Sequence, residues 1–141
     1  MKRIIYTRPE DGGLSIVIPA ISMEEVWKCI PADAINPVEV DTAIIPSDRA
    51  FRNAWEHGVD KVQVNMEKAK AIHLNSIRAA RNAKLSALDI ETMKAVGKGD
   101  AAAMSEVEAA KQMLRDIPQK VDLTKAATPD ELKAIWPKEL L

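Results

Sequence analysis

Cysteine, histidine and aromatic residues are all scarce in this 141-residue chain, and each shortage removes a class of chemistry. The single cysteine, Cys29, allows no intramolecular disulfide and no cysteine-based zinc site, as expected of a reducing compartment. His57 and His73 are the two histidines, too few for a metal centre, so neither a metal nor a cofactor is expected. No apolar run approaches the roughly 18 residues of a membrane span. The opening MKRIIYTRPEDGG lacks the apolar stretch of a signal peptide. A soluble protein without a membrane partner is expected. No phosphate loop, serine elbow or paired-carboxylate constellation occurs; Lys98 between Gly97 and Gly99 lacks the GK[ST] pattern. An enzyme is not expected.

The aromatic shortage is also uneven. Tyr6, Trp27, Phe51 and Trp55 lie near the start, Trp136 lies near the end, and residues 56–135 hold none. That middle stretch is rich in alanine. Without the side chains that bury most area each, it suits a thin helical element better than a deep core.

Proline and glycine divide the chain accordingly. Five prolines fall at or before Pro46, none lies from 47 to 117, and three follow. Residues 1–46 read as β-rich. Arg3–Thr7 and Leu14–Ile18 are β-branched runs, and Asp11-Gly12-Gly13 between them supplies the positive φ angles of a hairpin turn. Ser22 and Glu25 form a capping pattern that predicts a helix from Met23 to Ile30, and Val38–Val40 is a third strand. Residues 49–64 read two ways. Phe51 and Trp55 fit a short helix, or a second hairpin with strands near 51–56 and 61–64, which the alternating valines favour. Cys29 reads as a small buried thiol, His57 as a turn residue, and His73 as a helix-face residue without a ligand role.

From Asn65, a natural N-cap, the pattern is helical. Leu74, Ile77, Ala80, Leu85 and Leu88 form one apolar stripe. Gly97-Lys98-Gly99-Asp100 reads as an interhelical turn with Asp100 as the next cap. Met104, Val107, Ala110, Leu114 and Ile117 then recur until Pro118, where the helix is expected to end. Thr128-Pro129-Asp130-Glu131 predicts a last short helix to about Ile135. The expected fold is therefore α+β: a small β-rich domain (1–64), an antiparallel helical hairpin (65–118) and a tail with a short helix (119–141).

Charge is segmented too. Residues 58–88 carry six basic residues against two acidic ones, a balance of +4. Lys61, Lys68, Lys70, Arg78, Arg81 and Lys84 make this a basic arm that can meet nucleic-acid phosphates or an acidic neighbouring helix. No aromatic residue interleaves them, so base stacking is not on offer and the second reading is preferred.

One pattern is more specific. Arg78-Ala79-Ala80-Arg81-Asn82-Ala83-Lys84-Leu85 leads to Asp89, and Gln112-Met113-Leu114-Arg115-Asp116-Ile117-Pro118 follows, with Trp136-Pro137 near the end. This arrangement resembles the phage tail assembly chaperone family, over about residues 73–118 and the Trp-Pro pair. It departs from the family at Ile90, where a tryptophan is usual, and in its Gly-Lys-Gly loop, where proline is typical. The resemblance implies a non-enzymatic chaperone that binds a phage tail or tail-fibre subunit in the host cytoplasm during assembly. Leu74, Ile77, Arg78, Arg81, Leu85, Leu114, Arg115 and Trp136 are the partner-binding candidates it suggests. It also implies that Arg78, Arg81 and Arg115, with Asp89 and Asp116, tie the hairpin together. Two alternatives stand beside it: a structural virion component of the tail, baseplate or fibre attachment, and a nucleic-acid-binding regulator using the basic arm. Self-association is left open.

Overall fold

The computed structural model describes residues 1–141 and is α+β, with antiparallel strands first and helices after them. Two compact units divide the chain, Met1–Ala69 and Lys70–Leu141.

In the first unit, β1 (Lys2–Thr7) lies between β2 (Leu14–Val17) and β3 (Ile35–Asp41) in an antiparallel sheet. The β1–β2 hairpin is set by its turn. Gly12 takes φ 68°, and the Asp11 carboxylate accepts the Gly13 N–H at 2.9 Å. Arg8 clamps that same carboxylate through Nε and Nη2, both at 2.9 Å. These contacts hold the Asp11 carboxyl below its usual range, chiefly through the Arg8 hydrogen bond and then through the Gly13 N–H. The β1–β3 register slips between Ile5 and Thr7, and Asn36, opposite the slip, has φ 48°, which asparagine tolerates better than most residues.

Helix α1 spans Met23–Lys28, with the Ser22 hydroxyl accepting the Glu25 N–H as its cap pattern requires. It stops two residues short of Ile30. Cys29 is its C-cap, and its side chain is exposed rather than buried, because the six-residue helix buries only Val26. The ambiguous stretch resolves into both kinds of structure. Arg52–Ala54 is a 3₁₀ turn, and the hairpin of β4 (Trp55–His57) and β5 (Val62–Val64) follows. The first half cannot join the ladder because Arg52 and Ala54 direct their N–H groups locally, to Arg49 and Phe51. His57 is the last residue of β4, paired with Val62, and not a turn residue. Ile5, Leu14, Val40, Trp55 and Val62 form the core of this unit, with Ile16, Val38, Ile44, Ile45 and Val64 packed against them.

Helix α2 begins in the first unit and runs unbroken from Met66 to Lys98, with Asn65 Oδ1 accepting the Lys68 N–H at 3.1 Å. Gly97 and Lys98 are helical; the turn is confined to Gly99, at φ 62°, and Asp100. There the Asp100 N–H reaches the Ala95 carbonyl and the Gly99 N–H reaches that of Val96, the paired bonds of a Schellman stop. Asp100 then accepts the Ala103 N–H and caps α3 (Ala101–Lys120). Pro118 lies inside α3 instead of ending it. So near the C-terminus its missing N–H removes one bond only, and the Val121 N–H still reaches the Ile117 carbonyl. Helix α4 (Pro129–Ala134) starts as its sequence demands. The Thr128 hydroxyl accepts the Glu131 N–H, and the Glu131 carboxylate accepts the Ala127 N–H at 2.7 Å. Ile77, Ala95, Leu114, Ile117, Leu123, Ala126, Leu132 and Leu140 are the buried apolar side chains that hold the second unit.

Candidate partner-binding groove of the helical hairpin

In the second unit α2 and α3 are joined by the Gly99-Asp100 turn. Ala80, Leu85, Leu88 and Ala95 of α2 and Ala103, Met104, Val107, Ala110 and Leu114 of α3 are among the unit's partly or fully buried side chains, a mixture of small and aliphatic residues. One cross-hairpin charge pair fixes the register. Lys111 Nζ lies 2.6 Å from Asp89 Oδ1, and the lysine side chain is only 9% exposed. Arg78, Arg81 and Arg115 do not tie the hairpin as the resemblance implied. Arg78 bonds to Asn75, Arg81 to Asn82, and Arg115 to Glu108 and Gln112, each within its own helix. Asp116 likewise pairs along α3, with Gln112 and Lys120. Each of these side chains is satisfied by a near neighbour on its own helix. The Arg115 hydrogen bond, at 2.6 Å, holds the Glu108 carboxyl below its usual range.

The tail is fastened to the hairpin at two points. His73 is 6% exposed, and its Nε2 lies 2.7 Å from the Ile135 carbonyl, which can only accept, so Nε2 bears the proton. Its ring meets Trp136 edge-on at 5.8 Å between centroids. Farther along α2, Lys84 Nζ donates to the main-chain oxygens of Glu139 and Leu141, at 3.0 Å each.

Two hollows lie beside the hairpin and tail. A groove of about 600 Å³ is lined by Lys84, Ala87, Leu88 and Glu91 of α2, Ala110, Met113 and Leu114 of α3, and Glu139. The second, about 370 Å³, lies against the tail, with Ile117, Val121, Ile135 and Trp136 among its walls. Met113 and Glu139 border both. Met113 is 56% exposed, a flexible apolar side chain at the rim of an apolar groove.

The eight candidate residues separate in the structure. Ile77 is fully buried and Leu114 nearly so; Leu74, Arg81, Leu85 and Trp136 are half-buried; Arg78 and Arg115 are exposed on the outer surface. Of these, Leu114 lines the larger groove and Trp136 the smaller. Of the larger groove the candidate set named only Leu114 and omitted Lys84, Ala87, Leu88, Glu91, Ala110, Met113 and Glu139. Leu88 stood in the apolar stripe, whereas Met113 falls one position off the α3 stripe and gives no periodic signal.

This unit is a helical hairpin closed by a tail, with an apolar groove lined from both helices. No three of its histidine, cysteine, aspartate or glutamate side chains converge on a point that can hold a metal ion. No helix is long and apolar enough to cross a membrane. Residues 74–139 match the family of phage tail assembly chaperone proteins, a segment that takes in most of α2, all of α3 and α4, and the Trp136 tail. The match supports a role in phage tail assembly. Comparison with curated proteins and with solved structures returned no significant match.

Proposed function

We propose that this protein is a non-enzymatic chaperone of phage tail assembly that holds an apolar segment of a tail or tail-fibre subunit in the groove between α2 and α3. The observation that carries the reading is the position of that groove, which lies wholly within the segment that matches the family. Its chemistry suits the task. Leu88, Met113 and Leu114 offer apolar contact, while Lys84, Glu91 and Glu139 at the rim fix the orientation of a bound helix or strand. Binding takes place in the host cytoplasm, before the subunit joins the tail.

Co-expression with the tail and tail-fibre subunits of its phage tests the proposal. We expect a several-fold gain in soluble yield for one of them, and absence of the protein from purified particles by mass spectrometry. Unchanged yields for every subunit contradict a chaperone, and stoichiometric presence in particles makes the protein a virion component instead.

A further inference from the structure

The first unit, outside the segment that matches the family, holds a third hollow, of about 380 Å³. Four arginines line it, Arg3, Arg8, Arg49 and Arg52, and no carboxylate does. Asp11 already engages Arg8. Arg3 is different. It lies on the same face of β1 as Ile5, which is in the core, and its Nε is buried without a hydrogen-bond partner. A buried donor of a charged group left unpaired is costly, and such an atom beside an open hollow marks where an acceptor belongs.

The rest of the lining says what kind of acceptor. Residues 14–18 all contribute, so both faces of β2 reach the hollow, and it runs along the strand's outer edge. In the order β2-β1-β3, that edge has no strand beside it. Residues 15–18 make no main-chain hydrogen bonds beyond those to β1. An edge strand presents unpaired N–H and C=O groups that an extended chain can match.

We propose that this edge binds an extended acidic peptide segment of a partner protein, which adds a strand to β2 and places an aspartate or glutamate carboxylate among Arg3, Arg49 and Arg52. Guanidinium forks pair with carboxylates through two parallel hydrogen bonds, and Arg3 Nε gains the acceptor it lacks. A free phosphate satisfies the arginines and leaves the strand edge unpaired, which favours the peptide.

The test uses the full-length protein and a capped, fluorescently labelled heptapeptide alternating valine and glutamate, read by polarisation, with a valine–glutamine version as control. We expect the glutamate peptide to bind at least about tenfold more tightly than the glutamine one, and the difference to shrink with salt. Amide NMR shifts are expected at residues 14–18. Arg52→Glu, at an exposed position, and Arg3→Met are each expected to weaken binding about tenfold. Arg3→Met is expected to leave the melting temperature unchanged or higher, since it removes an unpaired buried donor, whereas a merely structural arginine lowers it. Met113→Glu, in the hairpin groove, is expected to bind the peptide like wild type, which separates this proposal from the chaperone reading. No binding, equal binding of the two peptides, or inorganic phosphate bound where the peptide is not, overturns it.

Discussion

At the scale of single residues, His73 shows how a side chain without catalytic company comes to be buried. Its Nε2–H bond to the Ile135 carbonyl and its edge-on contact with Trp136 join positions more than sixty residues apart. His73→Leu keeps the bulk and leaves the carbonyl unpaired, so we expect a loss of about 1–3 kcal/mol in urea unfolding and faster proteolysis of the tail. An unchanged midpoint rejects the tether. Lys111 is nearly buried while its partner Asp89 is 66% exposed. We therefore expect Asp89→Asn to cost toward the low end of about 1.5–3 kcal/mol, and Lys111→Met to cost less, because it removes the buried charge with its partner. Equal losses in denaturant titrations contradict this. Neither partner, Ile135 for His73 or Lys111 for Asp89, was legible in the sequence. The resemblance marked Asp89 as a tie of the hairpin but with arginine partners, and nothing in the local pattern of Lys111 marks it as buried. Cys29 failed for the opposite reason: its residue type favours burial, but the early end of α1 turned it to solvent.

Elements were far more legible, because caps and turns are local. The Ser22, Asn65, Asp100 and Thr128 caps all sit where their sequence patterns place them. Errors came at boundaries. Gly97 and Gly99 look alike in sequence, and both have open space where a side-chain methyl group would go. They differ in backbone: Gly97 is helical, whereas Gly99 is left-handed at φ 62°. Gly97→Ala is expected to stabilise the hairpin by about 0.5–1 kcal/mol and Gly99→Ala to destabilise it by about 1 kcal/mol or more, both read by thermal melting. Shifts of the same sign contradict the assigned turn. Pro118 misled in the same way, since a proline near a helix end costs one bond, not the helix. The groove was only partly legible. The apolar stripes of α2 and α3 foretold a seam, but Met113 lies at its rim, where no periodicity applies.

For the whole molecule, the two units draw on different sources of stability. The first has a core of β-branched and aromatic side chains around Trp55; the second has small and aliphatic residues, closed by a tail that carries the last tryptophan. Both contain exposed carboxyls held below their usual range. Asp11 is lowered mainly by the Arg8 hydrogen bond, and Asp41 by the Ala43 N–H. Glu108 is lowered by the Arg115 hydrogen bond, and Asp122 by that from Thr124. A lowered folded value means the stabilising contribution is complete above the ordinary carboxylate range and is lost as the pH falls through the folded values. Melting temperatures are thus expected to hold level from neutrality to about pH 5 and to fall below about pH 4. A rise on acidification contradicts these assignments. The central claim is that the α2–α3 groove holds a tail or tail-fibre subunit, and Met113→Glu tests it most directly. The exposed position lets the variant keep wild-type helicity by circular dichroism, while a charge is set at the rim of the apolar groove. Co-purification with the tagged subunit should then fall at least about tenfold; capture equal to wild type at unchanged helicity contradicts the account.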